Sequence, residues 1–129
     1  MMDNIRILYI EDEPGNLMLV RRVLEAEGFS VAEARDGLAG LEMAAKMYKE
    51  LDLILLDINL PEMDGYDLAK RFRDTPGLQN IPILAVTANV MLGDRERTLE
   101  AGCDGYIQKP IDVDLLPDQV MAAVQKKRT

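Results

Sequence analysis

Short apolar runs alternate with stretches of helical spacing along the whole chain. Five runs are short and apolar enough to be buried strands, whereas the segments between them repeat their apolar residues every three or four positions. The predicted strands are Ile5–Ile10, Phe29–Ala34, Leu53–Leu56, Ile83–Val86 and Gly105–Gln108. This alternation predicts βα units with right-handed crossovers, and therefore a parallel sheet with helices on both faces.

Each predicted strand is followed by a predicted helix. In chain order the helices are marked by Leu17, Val20, Val23 and Leu24; by Leu38, Leu41, Ala45 and Tyr48; by Tyr66, Leu68, Ala69 and Phe72; and by the ranges Gly93–Ala101 and Val113–Lys127. Gly28 is expected to end the first helix, and Asp36-Gly37 to begin the second. Pro117 falls inside the fifth range, and a proline in a helix interior costs about 3 kcal/mol. We therefore expect the last helix to start late, with Pro117 in its first turn.

Five strand–helix units fit a flavodoxin-like fold, a three-layer (βα)5 sandwich with strand order 2-1-3-4-5. In that order the first and third strands are neighbours. The carboxyl ends of the strands meet at one edge of the sheet, where ligands of open α/β sheets bind. The chain shows no linker, repeat or change of composition, so we predict that residues 1–129 form one domain.

Carboxylates follow the first and third of these strands. Glu11, Asp12 and Glu13 follow the first, and Asp57 ends the apolar run of the third. Two carboxylates about 4 Å apart repel each other by about 4 kcal/mol at an effective dielectric constant near 20, and a cation relieves this repulsion. Oxygen ligands at a water-accessible crevice suit Mg²⁺. The alternative is that the three acidic residues only cap the first helix, a role open to Asp12 and Glu13.

A hydroxyl and an ammonium group follow the fourth and fifth strands. Thr87, Ala88 and Asn89 come after the fourth strand, and Lys109 and Pro110 after the fifth. Each has a plainer explanation by itself, as a turn residue or a surface charge. Together with three carboxylates and a metal ion they indicate a site for a phosphoryl group, whose oxygens the ammonium would neutralise and the hydroxyl would hydrogen-bond.

At this point the chain resembles the response-regulator receiver domains of two-component signalling. The resemblance extends from Ile5 to about Val124 and rests on four separated motifs in the same order. They are Glu11-Asp12, the segment Leu56-Asp57-Ile58-Asn59-Leu60-Pro61-Glu62-Met63-Asp64-Gly65, Thr87-Ala88 and Lys109-Pro110. The resemblance implies that Asp57 accepts a phosphoryl group from the phosphohistidine of a histidine kinase or histidine phosphotransfer protein, which forms an acyl phosphate.

The resemblance also implies a metal site around Asp57. Asp12, Asp57 and the main-chain carbonyl of Asn59 would be ligands of Mg²⁺, for which Mn²⁺ could substitute, and Glu11 would assist through water. Glu11 stands where aspartate is commoner in the family. The side chains of Asn59 and Asn89 fall where the family tunes the lifetime of its acyl phosphate.

A second group of residues corresponds to the part of the family's site that binds and reports the phosphoryl group. These residues are Thr87, Ala88, Tyr106 and Lys109. The resemblance implies that Tyr106 turns inward as Thr87 moves, and that the peptide bond between Lys109 and Pro110 is cis. Phosphorylation would switch the surface formed by the fourth helix, fifth strand and fifth helix for binding to a partner.

Composition limits the classes of partner and the cellular compartment that we expect. A formal net charge of −8 over 129 residues argues against direct nucleic-acid binding. One cysteine and no histidine exclude an internal disulfide and a Cys/His metal cluster. The sequence has no apolar run of membrane-spanning length and no signal peptide. We therefore expect a cytoplasmic protein that acts on a downstream protein target, with a phosphorylation-dependent homodimer as another use of the same surface.

Three functions are left open by the sequence. The first is a stand-alone receiver or phosphorelay intermediate, which is favoured because Met1 lies close to the first strand and the chain stops just past the last helix. Such a protein is no enzyme on external substrates; it carries out only its own phosphotransfer and autodephosphorylation. The second is a receiver excised from a larger hybrid kinase or multidomain regulator. The third is a Mg²⁺-dependent aspartyl-phosphate phosphatase, which commonly needs a second acid where this chain has Asn59.

Overall fold

A computed structural model of the protein describes residues 4–88 and 92–128, and in these ranges five strands alternate with five helices. The strands are β1 (Arg6–Ile10), β2 (Ser30–Ala34), β3 (Leu53–Asp57), β4 (Ile83–Thr87) and β5 (Gly105–Gln108). The helices are α1 (Pro14–Ala26), α2 (Gly37–Met47), α3 (Gly65–Asp74), α4 (Leu92–Glu100) and α5 (Leu116–Arg128). The alternation predicted from the apolar pattern is confirmed.

The strands form one parallel sheet in the order β2-β1-β3-β4-β5. Ile10 pairs with Leu56, and Asp57 pairs with Val86, which in turn pairs with Ile107. The carboxyl ends of the four strands β1, β3, β4 and β5 therefore lie side by side at one edge. The flavodoxin-like strand order is confirmed, and with it the adjacency of the first and third strands.

Two apolar layers cover the sheet, one on each face. Because successive strand residues point to opposite faces, Ile7 and Tyr9 of β1 pack with α1 and α5, whereas Leu8 and Ile10 pack with α2 and α3. All five residues of β3 are buried. Each fully buried leucine or isoleucine contributes about 1.5–3 kcal/mol relative to an exposed one, so the central strands anchor the edge that carries the acidic residues.

Helix starts follow the local sequence. The side chain of Glu13 accepts hydrogen bonds from the N–H groups of Gly15 (3.0 Å) and Asn16 (2.7 Å) and so caps α1. The capping role considered for the acidic cluster therefore belongs to Glu13, while the side chain of Asp12 is exposed. Helix α5 begins at Leu116, which places Pro117 in its first turn, where a missing N–H removes no intrahelical bond. The predicted late start is confirmed.

Helix α2 is confirmed as an element, and Leu41 of the predicted apolar stripe packs partly buried against the core. The fully buried side of the helix is nevertheless a different one. Leu38 is 56% exposed and Tyr48 is 38% exposed, whereas Gly37, Gly40 and Ala44 are buried. A Cβ atom at Gly40 would lie 2.5 Å from Cδ1 of Ile10. The small residues thus let the helix approach β1 closely, and this close approach decides which side is buried.

Arg73, near the end of α3, joins the loops at the opposite, amino-terminal edge of the sheet. Its side chain is 19% exposed and pairs with the Asp104 carboxylate at 2.7 Å. The same carboxylate oxygen of Asp104 accepts the N–H of Ile83 at 2.8 Å. The guanidinium also donates to the carbonyl oxygens of Leu78, Gln79, Ile81 and Gly102. One side chain therefore hydrogen-bonds to backbone carbonyls in both the loop before β4 and the loop before β5.

None of the helices in the described ranges is both long enough and apolar enough to cross a lipid bilayer.

Candidate functional site

Three carboxylates meet at the carboxyl ends of β1 and β3. One oxygen from each of Glu11, Asp12 and Asp57 lies within 4.8 Å of the others. Glu11 is 1% exposed and Asp57 is 2% exposed, whereas Asp12 faces solvent. The structure thus brings together the acidic residues that the strand order predicted to meet. Close carboxylate oxygens of this kind are suited to a hard cation.

The carboxylate of Asp57 is held from two sides. Its Oδ1 accepts the backbone N–H of Asn59 at 2.9 Å, and its Oδ2 lies 3.2 Å from Nζ of Lys109. The first contact comes from the loop that directly follows β3, and the second comes from the end of β5, 52 residues later. Both contacts orient a carboxylate at the rim of the sheet.

The loop from Ile58 to Gly65 folds back onto the end of β3. The N–H of Gly65 donates to the carbonyl of Ile58 at 3.2 Å. A Cβ atom at Gly65 would lie 2.4 Å from the Ile58 Cα atom and 2.7 Å from its carbonyl oxygen. Only glycine permits this approach of helix to strand, and the approach fixes the turn in which Asn59 contacts Asp57.

Lys109 is the ammonium group of the site. Its Nζ lies 3.2 Å from Asp57 and 3.5 Å from Oε1 of Glu11. Burial lowers the pKa of Lys109, but the charges of Asp57 and Glu11 outweigh burial and raise the pKa above its ordinary value. The lysine therefore stays cationic at neutral pH. Its backbone N–H donates to the carbonyl of Thr87 at 2.8 Å, and the peptide bond to Pro110 is cis.

Glu11 lies in a buried hydrogen-bond network. The sequence predicted Glu11 as a site residue but not its contacts with Tyr9 and Asn16. Its Oε1 accepts the hydroxyl of Tyr9 at 3.0 Å and the Asn16 amide Nδ2 at 3.2 Å. Burial and the neighbouring Asp57 raise the pKa of Glu11 to about 7. Burial and Glu11 also raise the pKa of Tyr9, so its hydroxyl keeps the proton that it donates. The sequence held one indication of the contact between Tyr9 and Glu11, because Tyr9 lies two positions before Glu11 and therefore on the same side of the strand.

The raised pKa of Glu11 should make the stability of the metal-free protein depend on pH. Folded Glu11 holds its proton up to about pH 7 and unfolded Glu11 only to about 4.5, so the folded state binds more protons between these values. Its contribution to the free energy of unfolding therefore falls as pH rises through this window, by at most about 3 kcal/mol. Urea unfolding in EDTA from pH 4.5 to 8, compared with Glu11→Gln, isolates this contribution. A difference between the two proteins that is flat with pH would contradict it.

The remaining predicted residues lie at the same edge. Thr87 ends β4 with 2% exposure and follows Val86, the partner of Asp57 in the sheet. Ala88 is exposed. Tyr106 is half-buried, and the Arg95 guanidinium lies 5.5 Å from the centre of its ring. Asn89, predicted to tune the acyl phosphate, lies outside the described residues. The arrangement brings carboxylate oxygens suited to a cation, the buried carboxylate of Asp57 and an ammonium group together within one site.

Known proteins are similar to this chain in sequence and in fold. The family model of the response regulator receiver domain matches residues 7–121. The polar-differentiation response regulator DivK of Brucella ovis is 42% identical over 107 residues, which are 83% of this chain and 85% of that protein.

Solved structures are similar over nearly the whole chain. A chemotaxis protein of Vibrio cholerae, CheY4, matches with a TM-score of 0.88 and 25% identity over 94% of this chain and 99% of that one. The receiver domain of a sensor histidine kinase from Pseudomonas aeruginosa matches with a TM-score of 0.80 and 31% identity, over 95% and 99% of the two chains. In that structure a magnesium ion is coordinated in the active site cleft.

Proposed function

Since this chain belongs to the response regulator receiver domains of two-component signalling, we propose that Asp57 accepts a phosphoryl group from the phosphohistidine of a histidine kinase or histidine phosphotransfer protein. The observation that carries the proposal is the placement of Asp57, which is buried at a strand end between the N–H of Asn59 and the ammonium of Lys109. An Asp57 oxygen forms a bond to phosphorus as the phosphorus–nitrogen bond of the donor breaks. The imidazole leaves with the electron pair.

The acidic residues fit Mg²⁺, because three carboxylates with oxygens within 4.8 Å of one another are a hard-oxygen donor set. In this proposal Asp12, Asp57 and the main-chain carbonyl of Asn59 are ligands, Glu11 assists through water, and Mn²⁺ can substitute. The bound ion would supply positive charge opposite the phosphoryl oxygens during transfer.

The other strand ends complete the phosphoryl site. Lys109 neutralises charge on the phosphoryl oxygens, Thr87 donates a hydrogen bond to them, and Ala88 belongs to the same phosphoryl-binding group. In the phosphorylated state the new contacts of Thr87 and Lys109, together with a change at Tyr106, shift the balance between two conformations of the surface formed by α4, β5 and α5. The side chains of Asn59 and Asn89 tune how long the acyl phosphate lasts.

The switched surface binds a protein rather than DNA, as the net charge of −8 supports. We place the protein in the cytoplasm, with its only chemistry the transfer to Asp57 and the hydrolysis that resets it. A phosphorylation-dependent homodimer through the same surface is part of the proposal.

A small phosphodonor tests the proposed function. Incubation with acetyl phosphate and Mg²⁺ should add one phosphoryl group to the intact protein, measured by mass spectrometry, and EDTA should prevent the addition because the carboxylates then repel the donor. An unmodified mass with Mg²⁺ present would contradict the proposal. Sustained hydrolysis of an aryl phosphate over many turnovers would instead favour the phosphatase.

A further inference from the structure

Three hydrogen-bond donors converge on one oxygen of Glu11. The Tyr9 hydroxyl lies 3.0 Å from Oε1, the Asn16 amide 3.2 Å and the Lys109 ammonium 3.5 Å. The other oxygen, Oε2, lies 3.4 Å from the N–H of Glu13. A carboxylate oxygen has two lone pairs, so three donors saturate Oε1 and the long contact leaves capacity at Oε2. The two oxygens of Glu11 therefore have different roles open to them.

We infer that Tyr9 and Asn16 are positioning residues, which hold Oε1 of Glu11 and thereby fix its carboxylate beside Asp12 and Asp57 at the metal site. The inference rests on the metal site of the proposed function. Glu11 has one more methylene group and one more rotatable bond than an aspartate at the same position. Fixing that extra rotation costs conformational entropy, and two neutral donors built into β1 and α1 fix it before a metal arrives.

Both positioning residues are themselves fixed. The ring of Tyr9 is fully buried in the core between the sheet and helices α1 and α5. Asn16 lies in the first turn of α1, and its N–H is bound by the capping carboxylate of Glu13 at 2.7 Å. Phenylalanine at position 9 would fill the same space in the core without a hydroxyl. A buried tyrosine hydroxyl, in contrast, needs a hydrogen-bond partner. The hydroxyl finds that partner in a residue of the site.

Titration with MgCl₂ followed by calorimetry separates positioning from packing. Tyr9→Phe and Asn16→Ala should each weaken Mg²⁺ binding about tenfold, the lower end of the effect seen for groups that orient metal ligands. Tyr48→Phe makes the same chemical change on the partly exposed end of α2 and should bind Mg²⁺ like the wild-type protein. A merely structural role of Tyr9 would lower the melting temperature in EDTA and leave the Mg²⁺ affinity of the folded protein unchanged, which would overturn the inference.

A double-mutant cycle with Glu11→Asp makes the test specific. We expect the shorter carboxylate to lose its contact with the hydroxyl of Tyr9, so Tyr9→Phe in that background should change Mg²⁺ affinity by about twofold or less. An equal loss in both backgrounds would overturn the inference, because the hydroxyl would then act without Glu11.

The two proposals fail in different ways. A wild-type protein that shows no heat of binding at millimolar MgCl₂ would overturn the proposed metal site itself. Wild-type binding with undiminished affinity in Tyr9→Phe and Asn16→Ala would overturn only the positioning role.

Discussion

Replacing Asp57 with asparagine should abolish labelling by acetyl phosphate, with a rate at least about 10³-fold lower, as expected when a nucleophile is removed. The amide has nearly the same shape and can still accept the N–H of Asn59, which lies 2.9 Å from Oδ1. It also removes a negative charge from the acidic cluster, so the variant should fold. Intact-mass spectrometry over a time course with Mg²⁺ measures the loss.

Asp52→Asn is the matched control, because Asp52 lies next to the opposite end of β3. Its carboxylate accepts the N–H of Arg6 at 2.9 Å, far from the acidic cluster along the strand. This variant should be labelled at the wild-type rate. Equal labelling of Asp57→Asn and wild type would assign the acceptor to another residue, which peptide mapping would then identify.

Arg73→Ala should lower the free energy of unfolding by about 1.5–3 kcal/mol, the range for hydrogen bonds to charged groups, because this ion pair is only partly buried. The substitution leaves the carboxylate of Asp104 without its 2.7 Å partner. It also removes the guanidinium donor from four backbone carbonyls in the loops before β4 and β5. Urea unfolding followed by circular dichroism measures the change.

Arg6→Ala is the control for this second effect. Arg6 pairs with Glu50 at 3.2 Å, but the two side chains are 46% and 63% exposed. Exposed pairs contribute about 0–1 kcal/mol, because water screens the charges and both side chains lose freedom. Similar losses for Arg6→Ala and Arg73→Ala would show that the Arg73 network adds no more than a surface pair.

Much of the fold was predictable because its determinants are local. Buried strands read as short apolar runs, and Asp36 marked the start of α2 through its side-chain bond to the N–H of Ala39. The buried side of α2 was not predictable in this way. Glycine and alanine carry little apolar area, so a pattern of apolar residues overlooks a face whose burial comes from close approach to Ile10.

The acidic cluster was predictable at the level of strand ends. Parallel neighbours place their carboxyl ends at one edge, so Asp12 and Asp57 had to lie near each other once the strand order was inferred. Sequence also supplied the candidate ammonium, Lys109, because it follows the fifth strand. These inferences need only the order of the strands and the direction of the chain.

The tertiary structure decided which atoms meet. By itself the sequence determined a parallel sheet with acids and a lysine at one edge, because periodicity and strand order depend on local residue types. It could not determine that Tyr9 and Asn16 donate hydrogen bonds to the same oxygen of Glu11, or that the ammonium of Lys109 contacts both Glu11 and Asp57. Those contacts depend on side-chain directions and on distances set by the packing of α1 and β5 against the central strands, which no local pattern encodes.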